Sequence, residues 1–307
     1  METISKRISG LPLAKIEGQY TVILTNYNAE EYIYNALDSI FVQDYPNIQL
    51  IITDDGSNNF DQLSLEKYIN KHKKANIKDV DIMVNKKNLG TVKTLNNAIR
   101  KATGEFLLFF ASDDQLVNER VLSNFSVAFK DRKKNIITSQ WIICDYNLKP
   151  IKKYLSPIEA WYLNIAGVKH QFFRLCRSNI YGAGATSYRT TLFQKYGIFD
   201  EKYRLLEDWP FWLRISWNKE KIFYENFEGL YHRGGGISEN QKLSNSKKIF
   251  YEEILGTYRQ EILSRLDFFS DFQKISILKS YNNQIESLNN QLDLKKDYAL
   301  LKEYIDS

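Results

Sequence analysis

Short apolar runs alternate with amphipathic segments along the first half of the chain. A β-branched run at 20–25 predicts a buried strand, and apolar residues recur at helical spacing over 30–43. A second apolar run, at 48–53, leads directly into the polar sequence Asp-Asp-Gly-Ser. Strand, helix and strand in this order form a βαβ unit, which favours a parallel sheet.

The alternation continues further along the chain. Residues 105–111 (EFLLFFA) are almost wholly apolar, as expected of a strand buried on both faces of a parallel sheet. The same criteria predict helices at 61–74, 91–102, 118–130, 190–196 and 210–217, and strands at 80–84 and 135–144. The predicted fold class is therefore α/β, with an open, mostly parallel sheet flanked by helices.

The last part of the chain has a different composition. From about residue 241, Gly and Pro nearly vanish and Lys, Glu, Leu, Ile and Tyr dominate. Its apolar positions approach helical spacing: Ile275, Leu278, Tyr281, Ile285, Leu288 and Leu292. We expect one domain at 1–240 and a helical extension at 241–307. Packing on the rest of the chain, pairing with a second copy, and lying on a membrane are all compatible with such a segment.

Composition narrows the class of protein. The 307 residues are 43% hydrophobic, enough to fill a sizeable core, and the net charge of +5 comes from 42 basic and 37 acidic residues spread along the chain. This balance fits an anionic ligand or a weak attraction to acidic membrane surfaces. A nucleic-acid partner is disfavoured because no concentrated basic face or reading motif is evident.

The two cysteines and the apolar content predict a location. Cys144 and Cys176 lie far apart without a CxxC partner, so neither a disulfide framework nor a thiolate zinc site is supported. No stretch approaches the roughly 20 apolar residues that span a bilayer, and the first residues lack the apolar run of a signal sequence. We expect a cytoplasmic protein, at most peripheral on the inner face of the cell membrane.

Two acidic pairs stand where predicted strands end. Asp54-Asp55 follows the second strand and Asp113-Asp114 follows EFLLFFA. Adjacent carboxylates at one sheet edge repel unless a cation or a hydrogen-bond donor lies between them. Mg²⁺ and Mn²⁺ are suitable cations, because they prefer oxygen ligands and take one or two protein carboxylates plus phosphate oxygens. We expect the metal at Asp113-Asp114; a turn or a helix cap is the alternative for each pair.

A third acidic pair, Glu207-Asp208, lies in the Trp-rich sequence EDWPFW. A carboxylate beside aromatic surface can have its pKa raised, which suits a general base that takes a proton from a hydroxyl. The alternative is that Asp208 merely caps a helix that begins at Trp209-Pro210.

Three stretches carry a family resemblance. LTNYNAEEYIYNALDSIFVQDYPNIQLIITDDGSNN, NLGTVKTLNNAIRKATGEFLLFFASDD and GIFDEKYRLLEDWPFWLR resemble, in order and spacing, the family 2 inverting glycosyltransferases of the GT-A fold. The resemblance covers about residues 20–238 and favours the bacterial surface-glycan type. It implies that 1–240 is a catalytic domain with nucleotide-sugar and acceptor sites.

The resemblance also implies roles for residues in the nucleotide-binding loops. Those that match donor-binding positions are Thr25, Tyr27, Asn28, Asp55, Asn88, Gly90, Lys93, Ser112 and Asp113. Asp55 would bind the base, commonly uracil, and Asp113 would lie near the ribose or the metal. Ser112 departs from the strict Asp-x-Asp form. Lys93 would substitute for an Arg contact that the Leu95-Asn96 pair lacks; a solvated helix face is its alternative.

The chemistry follows from two further matches. Asp114 matches the metal ligand, and Asp208 matches the catalytic base that deprotonates the acceptor hydroxyl in a single, inverting displacement. His232, beside Gly234-Gly235-Gly236, is expected to bind the metal or the diphosphate, with the glycines as a mobile flap; Arg233 could also reach the phosphates, and a surface turn is the alternative.

We therefore expect a transferase that uses Mn²⁺ or Mg²⁺ and a nucleoside-diphosphate sugar, with UDP as the expected nucleotide. The acceptor would be a glycan, a lipid-linked oligosaccharide or a glycoprotein, and the C-terminal helices could support a homo-oligomer. Tyr181 and Trp209 are candidate acceptor contacts, although core packing is commoner for such residues. A non-catalytic nucleotide-sugar-binding subunit is one rival, and a nucleotidyltransferase is another, disfavoured because LTNYNAEEY is not a Gly-rich basic loop.

Overall fold

The computed structural model describes residues 15–234, 244–288 and 292–306. These residues divide into two units. The first unit contains 15–165, 181–199 and 221–234, and the second contains 166–180, 200–220 and the described residues after 243. The expected domain boundary between 240 and 241 falls outside the described residues.

One sheet of nine strands lies in the first unit. The strands are β1 (Ile16–Asn26), β2 (Ile48–Asp54), β3 (Ile77–Val84), β4 (Gly104–Ala111), β5 (Gln115–Leu116), β6 (Ile136–Cys144), β7 (Pro150–Lys153), β8 (Thr186–Arg189) and β9 (Phe223–Arg233). Their order is β3-β2-β1-β4-β8-β6-β9-β5, with β7 beside β6. Strands β1 to β4 are mutually parallel, and β8 joins β4 and β6 as an antiparallel strand.

The register of the parallel strands brings their carboxyl ends to one edge. Asn26 of β1 lies opposite Asp54 of β2, and Asp54 lies opposite Val84 of β3. On the other side of β1, Thr25 lies opposite Ala111 of β4. The loops that follow these strands therefore begin side by side, at the edge where open α/β sheets bind their ligands.

The described residues also form α-helices: α1 (Ile33–Phe41), α2 (Gln62–His72), α3 (Thr91–Lys101), α4 (Val121–Ala128), α5 (Pro157–Ile165), α6 (Val168–Leu175), α7 (Thr191–Tyr196), α8 (Asp208–Trp217), α9 (Asn245–Thr257), α10 (Asp271–Leu288) and α11 (Lys295–Asp306). Helices α6 and α8 to α11 belong to the second unit and the others to the first.

Helices cover both faces of the sheet in the first unit. The buried residues of α1, α2 and α4 form one apolar cluster with alternate residues of the strands, such as Val22, Leu50 and Leu108. Helix α3 also contacts β1 and β2, but its buried Leu95 and Ile99 lie outside that cluster. Because side chains alternate between the two faces of a strand, α3 covers the opposite face.

The pattern of apolar residues predicted the first four strands, the helices between them and the helical C-terminal segment, and the structure confirms these elements. It did not predict β8, whose sequence TSYR is polar. The hydroxyls of Thr186 and Ser187 are buried there, donating to the carbonyls of Gly182 (2.7 Å) and Leu107 (3.1 Å), so polar residues occupy an interior strand. The apolar stripe of α10 includes Tyr281 but not Ile275, which is 65% exposed.

Among the described residues, no helix is both long enough and apolar enough to span a membrane.

Candidate active site

A buried polar network ties together the ends of β1, β2 and β4. The Asn26 amide donates to Asp54 Oδ1 (2.8 Å), and the Ser112 hydroxyl donates to Asn26 Oδ1 (2.7 Å). The Ser57 hydroxyl donates to the same Asp54 oxygen (2.6 Å). Asp54 is fully buried, so the first carboxylate of the Asp-Asp-Gly-Ser loop shapes the loop itself.

Asp55 is held by four donors from the neighbouring loop and helix. Its Oδ1 accepts from the Asn85 amide (2.9 Å), the Leu89 N–H (2.8 Å) and the Thr94 hydroxyl (2.7 Å), and its Oδ2 accepts from the Gly90 N–H (2.8 Å). The N-terminus of α3 thus points at this carboxylate, which its partial positive charge stabilises. Asp55 is only 6% exposed, and its orientation is fixed before any ligand arrives.

Gly56 allows two loops to approach closely. Its φ is +77°, and a Cβ there would lie 2.5 Å from the carbonyl carbon of Lys87. Any other residue would strain the backbone and push the 85–90 loop away. Gly56 therefore brings the loop containing Asn88 and Gly90 onto the loop containing Asp55.

The other residues predicted to line the nucleotide pocket differ in accessibility. Tyr27 is 49% exposed, Thr25 is half-buried, and Lys93 is exposed on the first turn of α3. Asn28 has a φ of +50°, and its N–H donates to the Ser57 hydroxyl (2.8 Å). Its side-chain oxygen accepts from the Asn58 N–H (3.1 Å), so Asn28 braces the loop.

Asp114 and His232, which the sequence predicts to bind a metal together, lie in contact with each other. The short strand β5 pairs with β9 so that Gln115 lies opposite Tyr231. His232 Nδ1 then lies 3.1 Å from both carboxylate oxygens of Asp114, and the Arg233 N–H donates to Asp114 Oδ1 (3.0 Å). The His232 ring also contacts the Trp141 ring at 5.0 Å between centroids.

The side chain of Arg233 points into the protein interior. Its guanidinium donates to the Asp113 carbonyl (2.9 Å) and to the Tyr146 carbonyl, and it lies over the Tyr32 ring at 4.1 Å. The side chain is buried, and these contacts make it a brace for Asp113-Asp114. Of the predicted glycine flap, Gly234 is described, whereas 235–238 lie outside the described residues.

Asp113, Asp114 and His232 are the residues of this region that could bind a metal ion. Burial and the neighbouring Asp114 raise the pKa of Asp113 to about 6. Within the described part of the chain, no group of three or more His, Cys, Asp or Glu side chains is arranged to hold a metal ion. One carboxylate and one imidazole still suit an ion whose remaining ligands are phosphate oxygens and water.

In the second unit, Asp208 is the first residue of α8 and is 9% exposed. The Asn179 amide donates to its Oδ2 (2.9 Å), and the Trp209 N–H donates to its Oδ1 (2.5 Å). Burial raises the pKa of Asp208 to about 6, although both hydrogen bonds act in the opposite direction. Burial and the adjacent Asp208 raise the pKa of Glu207 well above its usual value.

The capping alternative for Asp208 receives limited support. The N-cap position of α8 belongs to Glu207, whose side chain makes no capping hydrogen bond. Within the first turn of the helix, the hydrogen bond to the Asp208 side chain comes from the adjacent Trp209 N–H. Trp209 is buried, and its indole N–H donates to the Leu175 carbonyl (2.9 Å), which favours core packing over an acceptor contact.

Sequence reasoning missed several residues that shape these sites. Asn26 directly follows a predicted strand and precedes Tyr27, so its position offered a signal. Asn85 directly follows β3 in the same way. Asn179 lies in an aromatic-rich stretch without recognisable periodicity, and no pattern in the sequence connects it with Asp208.

Comparison with known proteins shows the family and the fold of the chain. The family model for glycosyl transferase family 2 matches residues 21–197. The poly(ribitol-phosphate) beta-N-acetylglucosaminyltransferase TarS of Staphylococcus aureus is 26% identical over 258 residues, covering 80% of this chain and 41% of TarS. The chain spans about half the length of the curated relatives it matches.

Two solved structures share the fold. TarS 1-349 of S. aureus in complex with UDP-GlcNAc has a TM-score of 0.55 at 18% identity, covering 87% of this chain and 81% of that one. The mannosyltransferase PcManGT from Pyrobaculum calidifontis, in complex with GDP-Man and Mn2+, has a TM-score of 0.59 at 13% identity, covering 98% and 85%. These likenesses support the expected GT-A fold. Because the family model matches more than half of the residues, the chain belongs to glycosyl transferase family 2.

Proposed function

We propose that the chain transfers a sugar from a UDP-sugar to an acceptor hydroxyl with inversion, using Asp208 as the general base. The observation that carries this proposal is the environment of Asp208. Its carboxylate is buried at the start of α8 and oriented by Asn179, and its pKa is raised to about 6. A base with a pKa close to the working pH is ionised yet basic enough to accept a proton.

The loops at the carboxyl ends of the strands would bind the donor. Tyr27 is about half exposed and lies beside the Asp-Asp-Gly-Ser loop, and stacking on a base would cover its ring. Asp55 would accept from a uracil N–H, with an orientation already set by its four protein donors. The complex of TarS with UDP-GlcNAc supports UDP as the nucleotide.

Asp114 and His232 would hold Mn²⁺ or Mg²⁺ together with the diphosphate oxygens, with Asp113 near the ribose or the metal. The Mn2+ complex of PcManGT supports a metal in this fold. The ion would supply positive charge that stabilises the leaving diphosphate. Arg233 would keep Asp113 and Asp114 in place through its bonds to both residues.

The reaction would be a single displacement. The acceptor oxygen forms a bond to the anomeric carbon on the face opposite the diphosphate, while the bond from that carbon to the diphosphate breaks and Asp208 takes the hydroxyl proton. The products are the glycosylated acceptor with inverted anomeric configuration, UDP, and a protonated Asp208 that returns its proton to water.

The acceptor side remains a prediction from the sequence. We propose a glycan, lipid-linked or glycoprotein acceptor in bacterial capsule, surface-polysaccharide or glycoprotein synthesis, in keeping with the polymer acceptor in the name of TarS. A cytoplasmic location, peripheral membrane association and a homo-oligomer through the C-terminal helices also stay predictions.

The test is a donor screen with the full chain and Mn²⁺. UDP-GlcNAc, UDP-glucose and UDP-galactose are compared with GDP-mannose, and nucleotide release is followed with and without oligosaccharide acceptors. We expect acceptor-stimulated UDP release from one UDP-sugar, an inverted product by NMR, and loss of activity in Asp114→Ala and Asp208→Ala. Equal turnover in both variants and the wild type would refute the mechanism. A protein that binds UDP but releases no nucleotide from any of the sugar donors would favour a non-catalytic subunit.

A further inference from the structure

One carboxylate of the C-terminal helices accepts hydrogen bonds from three consecutive backbone N–H groups. Glu253, on α9, accepts through Oε2 from the N–H groups of Leu205 and Leu206, both at 2.9 Å. Its Oε1 accepts from the N–H of Arg204. All of these residues belong to the second unit. Only Glu207 separates this contact from Asp208.

Three N–H groups that converge on one anion form a nest, and an ionised acceptor makes such bonds short and strong. The contact fixes the backbone directions of 204–206 at the point where the chain enters α8. Asp208 is the first residue of that helix, so the angle at which its carboxylate leaves the backbone depends on how the chain enters. A shift of about 1 Å at a reacting group can cost two orders of magnitude in rate.

A second contact from the same C-terminal segment lies on the other side of Asp208. The ring of Tyr258, which directly follows α9, packs edge-on against Trp209 at 5.3 Å between centroids. The Tyr258 hydroxyl donates to the Arg177 carbonyl (2.8 Å), two residues before Asn179. Glu253 and Tyr258 therefore hold the chain before and after Asp208, and Tyr258 also holds the segment that supplies its hydrogen-bond donor.

We propose that Glu253 is a positioning residue for Asp208. Helix α9 then contributes to the transfer reaction, although it lies outside the residues that the family model matches. This inference rests on the proposed function, because it assigns Glu253 a role that acts through the base. The competing account is that Glu253 only stabilises the second unit.

The test compares Glu253→Ala with two controls on the same helix. Glu252→Gln changes a neighbouring carboxylate whose side chain is 51% exposed. Leu255→Ala truncates a fully buried side chain, and we expect it to lower the melting temperature. We expect Glu253→Ala to lower kcat about 10- to 100-fold with the KM for the UDP-sugar within about twofold. Both controls should keep kcat within about threefold at a temperature where they are folded.

A double-mutant cycle separates positioning from stability. If Glu253 acts through Asp208, then Glu253→Ala placed in an Asp208→Asn background causes no further loss of the residual transfer rate. A loss as large as in the wild-type background, or a kcat that follows the melting temperature across Glu253→Ala and Leu255→Ala, would overturn the inference.

The two proposals fail in different ways. Sugar transfer by the wild type that Glu253→Ala leaves intact refutes the positioning role alone. The absence of transfer from every UDP-sugar by a folded, UDP-binding wild type refutes the proposed function and this inference together.

Discussion

Replacing Asn179 by Ala removes a side chain that donates a hydrogen bond to Asp208. The Asn179 amide lies 2.9 Å from Asp208 Oδ2 and favours the ionised carboxylate. Without it, the protonated form of Asp208 gains relative to the charged form, so the pKa of this buried group must rise.

The size of the effect follows from two quantities. A hydrogen bond to a charged group contributes about 1.5–3 kcal/mol, and one pKa unit corresponds to about 1.4 kcal/mol. Asp208 is only 9% exposed, so solvent screens little of this. The pKa should therefore rise from about 6 by about one to two units. Because the base must be ionised, kcat should fall about 5- to 50-fold at pH 6 and less than about twofold at pH 9.

The assay is kcat for sugar transfer between pH 5 and 9.5 with saturating UDP-sugar. We expect the acid limb of the profile to move to higher pH in Asn179→Ala and to stay in place in Asn218→Ala. Asn218 is a matched control, because it lies at the other end of α8 and its amide donates to the Arg214 carbonyl. An unmoved acid limb in Asn179→Ala, or an equal loss at every pH, would refute the reasoning.

Three further predictions concern stability and metal use. Burial raises the pKa of Asp208 from 3.8 to about 6, so ionising this carboxyl destabilises the folded protein above pH 6 and not below pH 4. Asp208→Asn removes this cost. It should raise the free energy of unfolding, measured in urea, by up to about 3 kcal/mol at pH 8 and hardly at pH 4. Gly56→Ala should lower the free energy of unfolding by about 2–4 kcal/mol, because the new Cβ clashes with the Lys87 backbone. Gly18→Ala, also at positive φ but in open space, should lower it by about 1 kcal/mol. Equal losses in the same denaturation assay would contradict the close approach of the two loops. His232→Ala should raise the Mn²⁺ concentration for half-maximal activity about tenfold or more, whether the imidazole binds the ion or only orients Asp114; an unchanged metal titration would exclude His232 from the site.

Much of the first unit follows from short-range rules. Strands β1, β2 and β4 are largely apolar runs that end at, or just before, polar residues, so the run EFLLFFA already places Asp113 and Asp114 at the carboxyl edge. Short-range rules do not predict the contact between Asp114 and His232, because it depends on the pairing of the two-residue strand β5 with β9. Here the family resemblance supplied what the pattern of apolar residues lacks.

The contacts around Asp208 cannot be predicted from short-range sequence patterns, for a physical reason. Asn179, Glu253 and Tyr258 reach this region from segments that are 29 or more residues away, and each acts through one or two directed hydrogen bonds or ring contacts. Such contacts leave no periodic trace in the sequence. A single carboxylate on a helix gives no sign that it will face three backbone N–H groups rather than water.

The most direct test of the account is the rate of sugar transfer by Asp208→Asn at pH 8, with UDP binding measured on the same preparation. The account predicts a folded protein that binds UDP as the wild type does and transfers sugar about 10²- to 10⁴-fold more slowly, since only the base is lost. Transfer at the wild-type rate, with the same inverted product, would show that Asp208 is not the base and would contradict the central claim.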